Sequence, residues 1–231
     1  MKFIRYGITF RRIQRQDIER LRKWRNSDAI RNKMIYRKHI TSEMQKKWFK
    51  TIEKSYHHSY YIINAEGKDI GLFNQKNFRV PGKMTESGIF LIDEQYKTSY
   101  IPVIASLTLI RSSFFFMGEK ESFVRVIKTN QEALDYNFGL GYKIYKEEDE
   151  VYILKMTPET FLSKTKKLRK SIRNLYGKSN FELFLEPIDY ELGYALFFRD
   201  IISKISEKYI VEFNETSNSF KVVLDLDLDD K

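Results

Sequence analysis

The stretch that decides the fold is Val124-Arg125-Val126-Ile127-Lys128-Thr129-Asn130-Gln131-Glu132-Ala133-Leu134-Asp135-Tyr136-Asn137-Phe138-Gly139-Leu140-Gly141-Tyr142. Its first residues, with Phe123 before them, are rich in β-branched side chains and read as a strand over 123–128. A turn follows at Asn130, which also suits a helix N-cap. Residues 132–140 then read as a short helix, Gly141 fits its C-terminal cap, and Gly141-Tyr142 re-enters extended chain.

Working outward, the chain alternates strands and helices. Residues 7–13 read as an opening strand. Asp17 can cap a helix to about residue 34, with Ile18 and Leu21 on one face and Ile30 and Met34 on the next. Ser42-Glu43-Met44-Gln45 reads as a capping box, and Met44, Trp48 and Ile52 recur every fourth residue behind it. Residues 59–64 and 69–74 read as strands around the turn Glu66-Gly67, and 87–92 as a further strand. Pro102 suits the first turn of a long helix over 101–117, and residues 151–156 close the sheet.

Composition narrows the function classes. The 231 residues are 42% hydrophobic and 15% aromatic, enough for a substantial core. The absence of cysteine excludes disulfides, zinc-thiolate sites and a catalytic thiol. The N-terminal residues lack the apolar run of a signal peptide, and 101–117 is too short and too polar for a membrane span. A cytoplasmic location with no membrane partner is the expectation. The net charge of +10 is uneven: residues 1–54 hold 17 Lys and Arg against 5 Asp and Glu. Such a basic segment suits phosphate-bearing ligands, or it is the solvated face of two amphipathic helices. The aromatics sit at helical core spacing and do not interleave with the basic residues, which argues against nucleic acid as a partner. His57-His58 has no Cys or spaced carboxylate to complete a metal site, so no metal is expected.

After residue 156 the character changes. Residues 164–178 hold seven Lys and Arg and no acid in an expected helix ending at Gly177. Residues 189–205 read as another helix, and 209–213 with 220–226 as a hairpin. The terminal Asp225, Asp227, Asp229 and Asp230 read as a solubilising end.

The first ~160 residues resemble the GNAT superfamily of N-acetyltransferases in the order and length of their elements. Within it they are similar to nucleotide-amino-sugar acetyltransferases of the pseudaminic-acid type. The residues carrying the likeness are Trp24-Arg25-Asn26, Met34, Ile40-Thr41-Ser42-Glu43, Trp48-Phe49, Gly71, Gly88-Ile89, Asn130, Tyr136 and Gly141-Tyr142. The resemblance implies an α/β fold: a mixed, mostly antiparallel twisted sheet flanked by helices over residues 1–160, with an α+β extension over 161–231. It also implies acetyl-CoA as co-substrate and acyl transfer to an amine, most similar to that of a nucleotide-linked amino sugar. Transfer to a protein N-terminus, as in the ribosomal-protein enzymes, and a GNAT-like binding module without catalysis are the alternatives. A homodimer is left open.

Site residues follow from the same resemblance. Tyr136 would face the thioester sulfur and protonate the leaving thiolate; otherwise it is a core tyrosine. Asn130 would contact CoA, cap its helix, or do both. A backbone N–H among Phe90, Leu91 and Ile92 would hold the oxyanion. Lys97, Thr98, Ser99 and Tyr100 occupy the pyrophosphate loop, whose family pattern is Gln/Arg-x-x-Gly-x-Gly/Ala. Here Tyr100 and Pro102 replace the glycines, and Pro102 removes an N–H donor. Glu86 or His39 is a candidate base, with a water-mediated base as the alternative. Arg25 and Asn26, with His39, would meet the acceptor, Arg being suited to bidentate phosphate contact. Gln45 stands where this branch often carries His.

Overall fold

A computed structural model describes residues 1–216 and 220–227. Eleven strands form one continuous sheet: β1 (Lys2–Arg5), β2 (Ile8–Arg12), β3 (Ser59–Ala65), β4 (Lys68–Lys76), β5 (Glu86–Leu91), β6 (Ser122–Ile127), β7 (Lys143–Glu147), β8 (Val151–Met156), β9 (Phe181–Leu185), β10 (Ile210–Glu215) and β11 (Phe220–Leu224). Their spatial order is β10-β11-β9-β1-β2-β3-β4-β5-β6-β8-β7. All neighbours run antiparallel except β5 and β6, which run parallel and share a single registered pair, Glu86 with Phe123. The expected mixed, mostly antiparallel sheet is present.

The opening strand of the sequence reading is in fact a hairpin, β1 and β2, turning at Tyr6 and Gly7 with φ of 50° and 73°. The Glu66-Gly67 turn between β3 and β4 forms as read. The single helix expected to run to residue 34 breaks at Ser27, whose extended backbone separates α1 (Ile18–Asn26) from α2 (Asp28–Arg31). In α3 (Ser42–Ile52) the cap is Thr41, whose Oγ1 accepts from the Met44 N–H. The face toward the sheet is Gln45, Phe49 and Ile52; of the expected row Ile52 is buried there, while Met44 is exposed. Trp48 lies beside that face, edge-on to Tyr60.

Helices cover both faces of the sheet. Ile18, Leu21, Phe49 and Ile52 from α1 and α3 pack on Tyr60, Ile62 and Leu72. The opposite face is larger and includes α4 (Glu94–Lys97), α5 (Ile101–Arg111), α6 (Gln131–Leu140), α7 (Pro158–Tyr176), α8 (Pro187–Glu191) and α9 (Tyr194–Lys204). The long helix expected over 101–117 is α-helical only to Arg111 and continues as a π-helical turn, Ser112–Phe116. The helix expected over 189–205 is two, interrupted by Gly193 at φ 80°.

The C-terminal block is built into this fold. Strand β9, unread in the sequence, pairs with β1 and carries β11 and β10 beyond it. Phe181, Leu183, Phe198 and Phe220 lie in the same core as Phe3, Phe10 and Leu109. One sheet and one core therefore run across the division at residue 160. Asp225 and Asp227 are buried rather than a solubilising end. Asp225 pairs with Lys178 at 2.8 Å, and Asp227 pairs with Arg5 at 2.5 Å and Arg111 at 3.3 Å. Asp229 and Asp230 fall outside the described residues.

Candidate active site

The parting of β5 from β6 makes the site. The two strands touch at Glu86 and Phe123, where the Phe123 N–H donates to the Thr85 carbonyl at 3.2 Å, and no further pair is registered along them. A cavity of about 720 Å³ occupies the gap. It reaches from α1 and the α2–α3 connection on one face of the sheet to α5 and α6 on the other.

Two glycines near the gap lie too close to neighbouring backbone to carry a side chain. A Cβ on Gly71 of β4 would lie 2.2 Å from the Phe90 carbonyl oxygen. Gly141, at φ 108°, ends α6 where a Cβ would meet the Thr160 carbonyl at 2.8 Å. Both sites demand a residue with no side chain.

Hydrogen-bond alternation decides which β5 amides face the gap. The Ile92 N–H is taken by the Ile70 carbonyl at 2.9 Å. In an antiparallel ladder successive residues point to opposite sides, so Phe90 also faces β4, while Ile89 and Leu91 present their N–H groups to the gap. Of the three residues expected to supply an oxyanion donor, the arrangement thus suits Leu91 and not Phe90 or Ile92.

On the α5 side, Tyr136 of α6 lines the cavity. Its hydroxyl donates to the Pro102 carbonyl at 2.9 Å and lies 2.7 Å from Ser106 Oγ. Burial drives its pKa well above the ordinary phenol value, with the Ser106 contact opposing. Beneath it Tyr142 bonds Ser122 at 2.8 Å and is pushed up to about 12, again by burial. Asn130 lines the cavity and caps α6, its Oδ1 accepting from Ala133 N–H at 3.2 Å.

The turn entering α5 is spare in donors. The Ile101 N–H is taken by Ser99 Oγ at 3.2 Å, Pro102 has none, and the Ile104 N–H closes on the Tyr100 carbonyl at 2.9 Å. Lys97 lines the cavity, its ammonium 2.5 Å from Glu94. Thr98, Ser99 and Tyr100 are not brought to the cavity wall; Thr98 bonds back into α4, and Tyr100 is exposed.

The other mouth is cationic. Arg25 at the end of α1 lines it, and its Nε is buried with no hydrogen-bond partner. Burial pulls its pKa down, with Tyr60 opposing, and no carboxylate pairs with it among the described residues. Lys76 at the end of β4 also lines it. It is exposed overall, and desolvation at the mouth lowers its pKa, opposed by Glu86 and reinforced by Arg25 and Arg125. Glu86 is tied to Arg125 at 3.0 Å, and Arg125 also holds Glu148 at 2.7 Å. The candidate base is therefore already engaged in an ion pair.

Two expected acceptor residues lie elsewhere. Asn26 clasps Ile40, donating to its carbonyl and accepting from its N–H, both at 2.8 Å, so it pins the α2–α3 connection to α1. His39 sits exposed on that connection, away from the cavity wall. Sequence reasoning missed Lys76 and Arg125. The signal for Arg125 was a lone cation inside an apolar strand; Lys76 ends a strand like many surface lysines and carried none. Among the described residues no cluster could hold a metal, and no helix is long and apolar enough to cross a membrane.

With its sheet parted at one parallel pair and flanked by helices on both faces, the chain shares the fold of solved GNAT acetyltransferases. The chain is similar in structure to FdhC, a nucleotide-linked sugar GNAT, with 20% identity and a TM-score of 0.60, over 74% of this chain and 97% of that one. It is similar to the Vibrio cholerae spermidine N-acetyltransferase in complex with CoA and spermine, with 14% identity and a TM-score of 0.59, over 68% of this chain and 98% of that one. A third likeness is to the Campylobacter jejuni N-acetyltransferase PseH in complex with acetyl coenzyme A. Identity there is 19% and the TM-score 0.50, over 65% of this chain and 99% of that one. No protein-family model and no curated protein sequence matches the chain.

Proposed function

We propose that the protein is an acetyl-CoA-dependent N-acetyltransferase whose acceptor is the amine of a small, nucleotide-linked amino sugar. The observation that carries the acceptor class is Arg25, a largely desolvated guanidinium on the cavity wall without a carboxylate partner. A buried charge of this kind is costly unless a ligand completes it, and a phosphate does so bidentately. Lys76 adds a second cation to the same mouth. Polyamine and protein N-terminal acceptors would bring positive charge against these groups, which disfavours both.

For the donor, acetyl-CoA supplies an activated acyl group on a thioester. The chain's own groups have complementary places. The Leu91 N–H faces the gap to hold the acyl oxygen, and Tyr136 stays protonated at neutral pH and can return a proton to the departing sulfur. Because Glu86 is paired with Arg125, proton removal from the amine is assigned to water in the cavity. The donor-poor turn at Pro102 favours one second reading, a GNAT-like module that binds the nucleotide but has lost transfer.

Arg25→Ala should raise KM for a nucleotide-linked amino sugar roughly 10- to 100-fold, the worth of a hydrogen bond to a charged group. KM for acetyl-CoA should stay nearly unchanged. Equal losses on both substrates would mean that Arg25 supports the fold or the donor site instead.

A further inference from the structure

Asn74 of β4 lines the cavity and stands opposite Gly88 of β5 in the ladder. On its other side it registers with Tyr60 of β3, which lies within electrostatic reach of Arg25. Lys76 follows two residues along β4, so alternation sets it on the same face as Asn74. That face is the one covered by α1 and α3, where Tyr60, Leu72 and Phe90 pack. In sheet order Asn74 thus lies between the cations of the mouth and the gap beyond β5.

Gly88 decides what Asn74 can reach. A Cβ there would lie 3.0 Å from Asn74 Oδ1 and 3.7 Å from its Nδ2, so the amide leans over β5 into the space the glycine leaves. No described residue hydrogen-bonds that amide. Neighbouring strands stand about 4.8 Å apart, close to the width of a pyranose ring. A sugar whose phosphate meets Arg25 and Lys76 can therefore lie flat across Gly88, with its amine entering the gap at the level of the Ile89 amide. The half of the ring nearer the phosphate is then the half over Asn74.

We infer that Asn74 is a specificity-determining residue: its amide holds the substituent beside the anomeric carbon of the acceptor sugar, a group that both gives and takes hydrogen bonds. A hydroxyl and an acylamino group share that chemistry, and the side-chain amide can donate to and accept from either. The inference rests on the nucleotide-sugar reading above and specifies which part of the sugar is read.

Steady-state kinetics with acetyl-CoA and three UDP-linked sugars test this. Each sugar carries its amine at C4, across the ring from the phosphate, and they differ only in bearing a hydroxyl, an acetamido group or hydrogen at C2. Wild-type protein should favour the better of the first two over the 2-deoxy sugar roughly three- to tenfold in kcat/KM, the worth of a neutral hydrogen bond. Whichever leads identifies the group. Asn74→Ala should erase that preference with acetyl-CoA affinity unchanged, and Asn74→Leu, nearer in volume, serves if the alanine variant fails to fold. Gly88→Ala, which crowds the amide, should raise KM for all three sugars. Wild-type protein that turns over all three alike overturns the inference and leaves the acceptor reading standing. So does an Asn74→Ala protein that keeps the preference or loses acetyl-CoA affinity. Turnover of none of the three contradicts the acceptor reading and this inference with it.

Discussion

The Tyr136 hydroxyl and Ser106 Oγ sit 2.7 Å apart, α6 against α5, on the wall of the gap between β5 and β6. A phenol has one proton, and Tyr136 places it on the Pro102 carbonyl, so Ser106 is the donor of this pair. A tyrosine held this way is kept protonated and oriented, and it can act as an acid only by turning its proton from Pro102 into the gap.

Tyr136→Phe preserves the ring and removes only that proton. The expected outcome is a kcat lower by about 10²–10⁴ with acetyl-CoA affinity retained. Ser106→Ala, which leaves the phenol in place, should cost far less. Single-turnover measurements check both, because they separate chemistry from product release. A Tyr136→Phe protein of normal single-turnover rate would reduce the residue to a packing role.

Lys76 gives a pH dependence with a definite sign. The residue is exposed at the strand end, yet its pKa lies below the ordinary 10.5 because desolvation at the cavity mouth disfavours its charge, Glu86 opposing and Arg25 and Arg125 adding to the depression. An anionic acceptor favours the charged form, so binding raises this pKa and takes up protons in the alkaline range. Acceptor KM should climb as pH rises through the lowered lysine pKa, while the Lys76→Arg protein, charged throughout, should show a flatter profile. The same depression acts on folding. The unfolded chain binds more protons between the folded pKa and 10.5, so this group's contribution to stability rises with pH across that window. Titrating acceptor affinity in buffers of different ionisation enthalpy measures the proton uptake directly.

Asp227 is held between Arg5 of β1 and Arg111 at the end of α5, and Arg111 Nε also donates to the Leu226 carbonyl at 2.6 Å. Asp227→Ala leaves the buried Arg5 guanidinium short of its counter-ion and takes one carboxylate contact from Arg111, and should destabilise the protein by about 3–5 kcal/mol. Removing everything after residue 162 should do more, since it bares the β1 edge and uncovers Phe3 and Leu109. Urea denaturation checks the substitution, and the solubility of the fragment checks the truncation. A well-folded fragment of residues 1–162 would show that the C-terminal block is an independent addition.

The elements of the matched region were legible because their signals are local. Asn130 caps α6, Gly141 ends it, and the Glu66-Gly67 turn joins two alternating strands. Gly71 and Gly88 were legible as glycines, and the reason for Gly71 emerges only from the Phe90 carbonyl opposite it. What sequence could not supply were long-range pairings. The short segment 181–185 becomes a strand because β1 offers it an edge, and Asp227 turns inward because Arg5, 222 residues away, is waiting there. Arg25 was expected at the acceptor cleft from the resemblance alone, and it lines the cavity. Asn26 beside it, expected there too, does not line the cavity and instead bonds the Ile40 backbone, a pairing 14 residues away that no local pattern announces.

On the function proposed above, this cavity joins an acyl thioester to the amine of a nucleotide-linked sugar. The most direct measurement incubates the protein with acetyl-CoA and either a nucleotide-linked amino sugar or spermidine, following CoA release and product mass. The expected result is CoA release with the sugar nucleotide, a product heavier by one acetyl group on nitrogen, and little turnover of spermidine. Preferential acetylation of spermidine, or no CoA release with either amine, would contradict it.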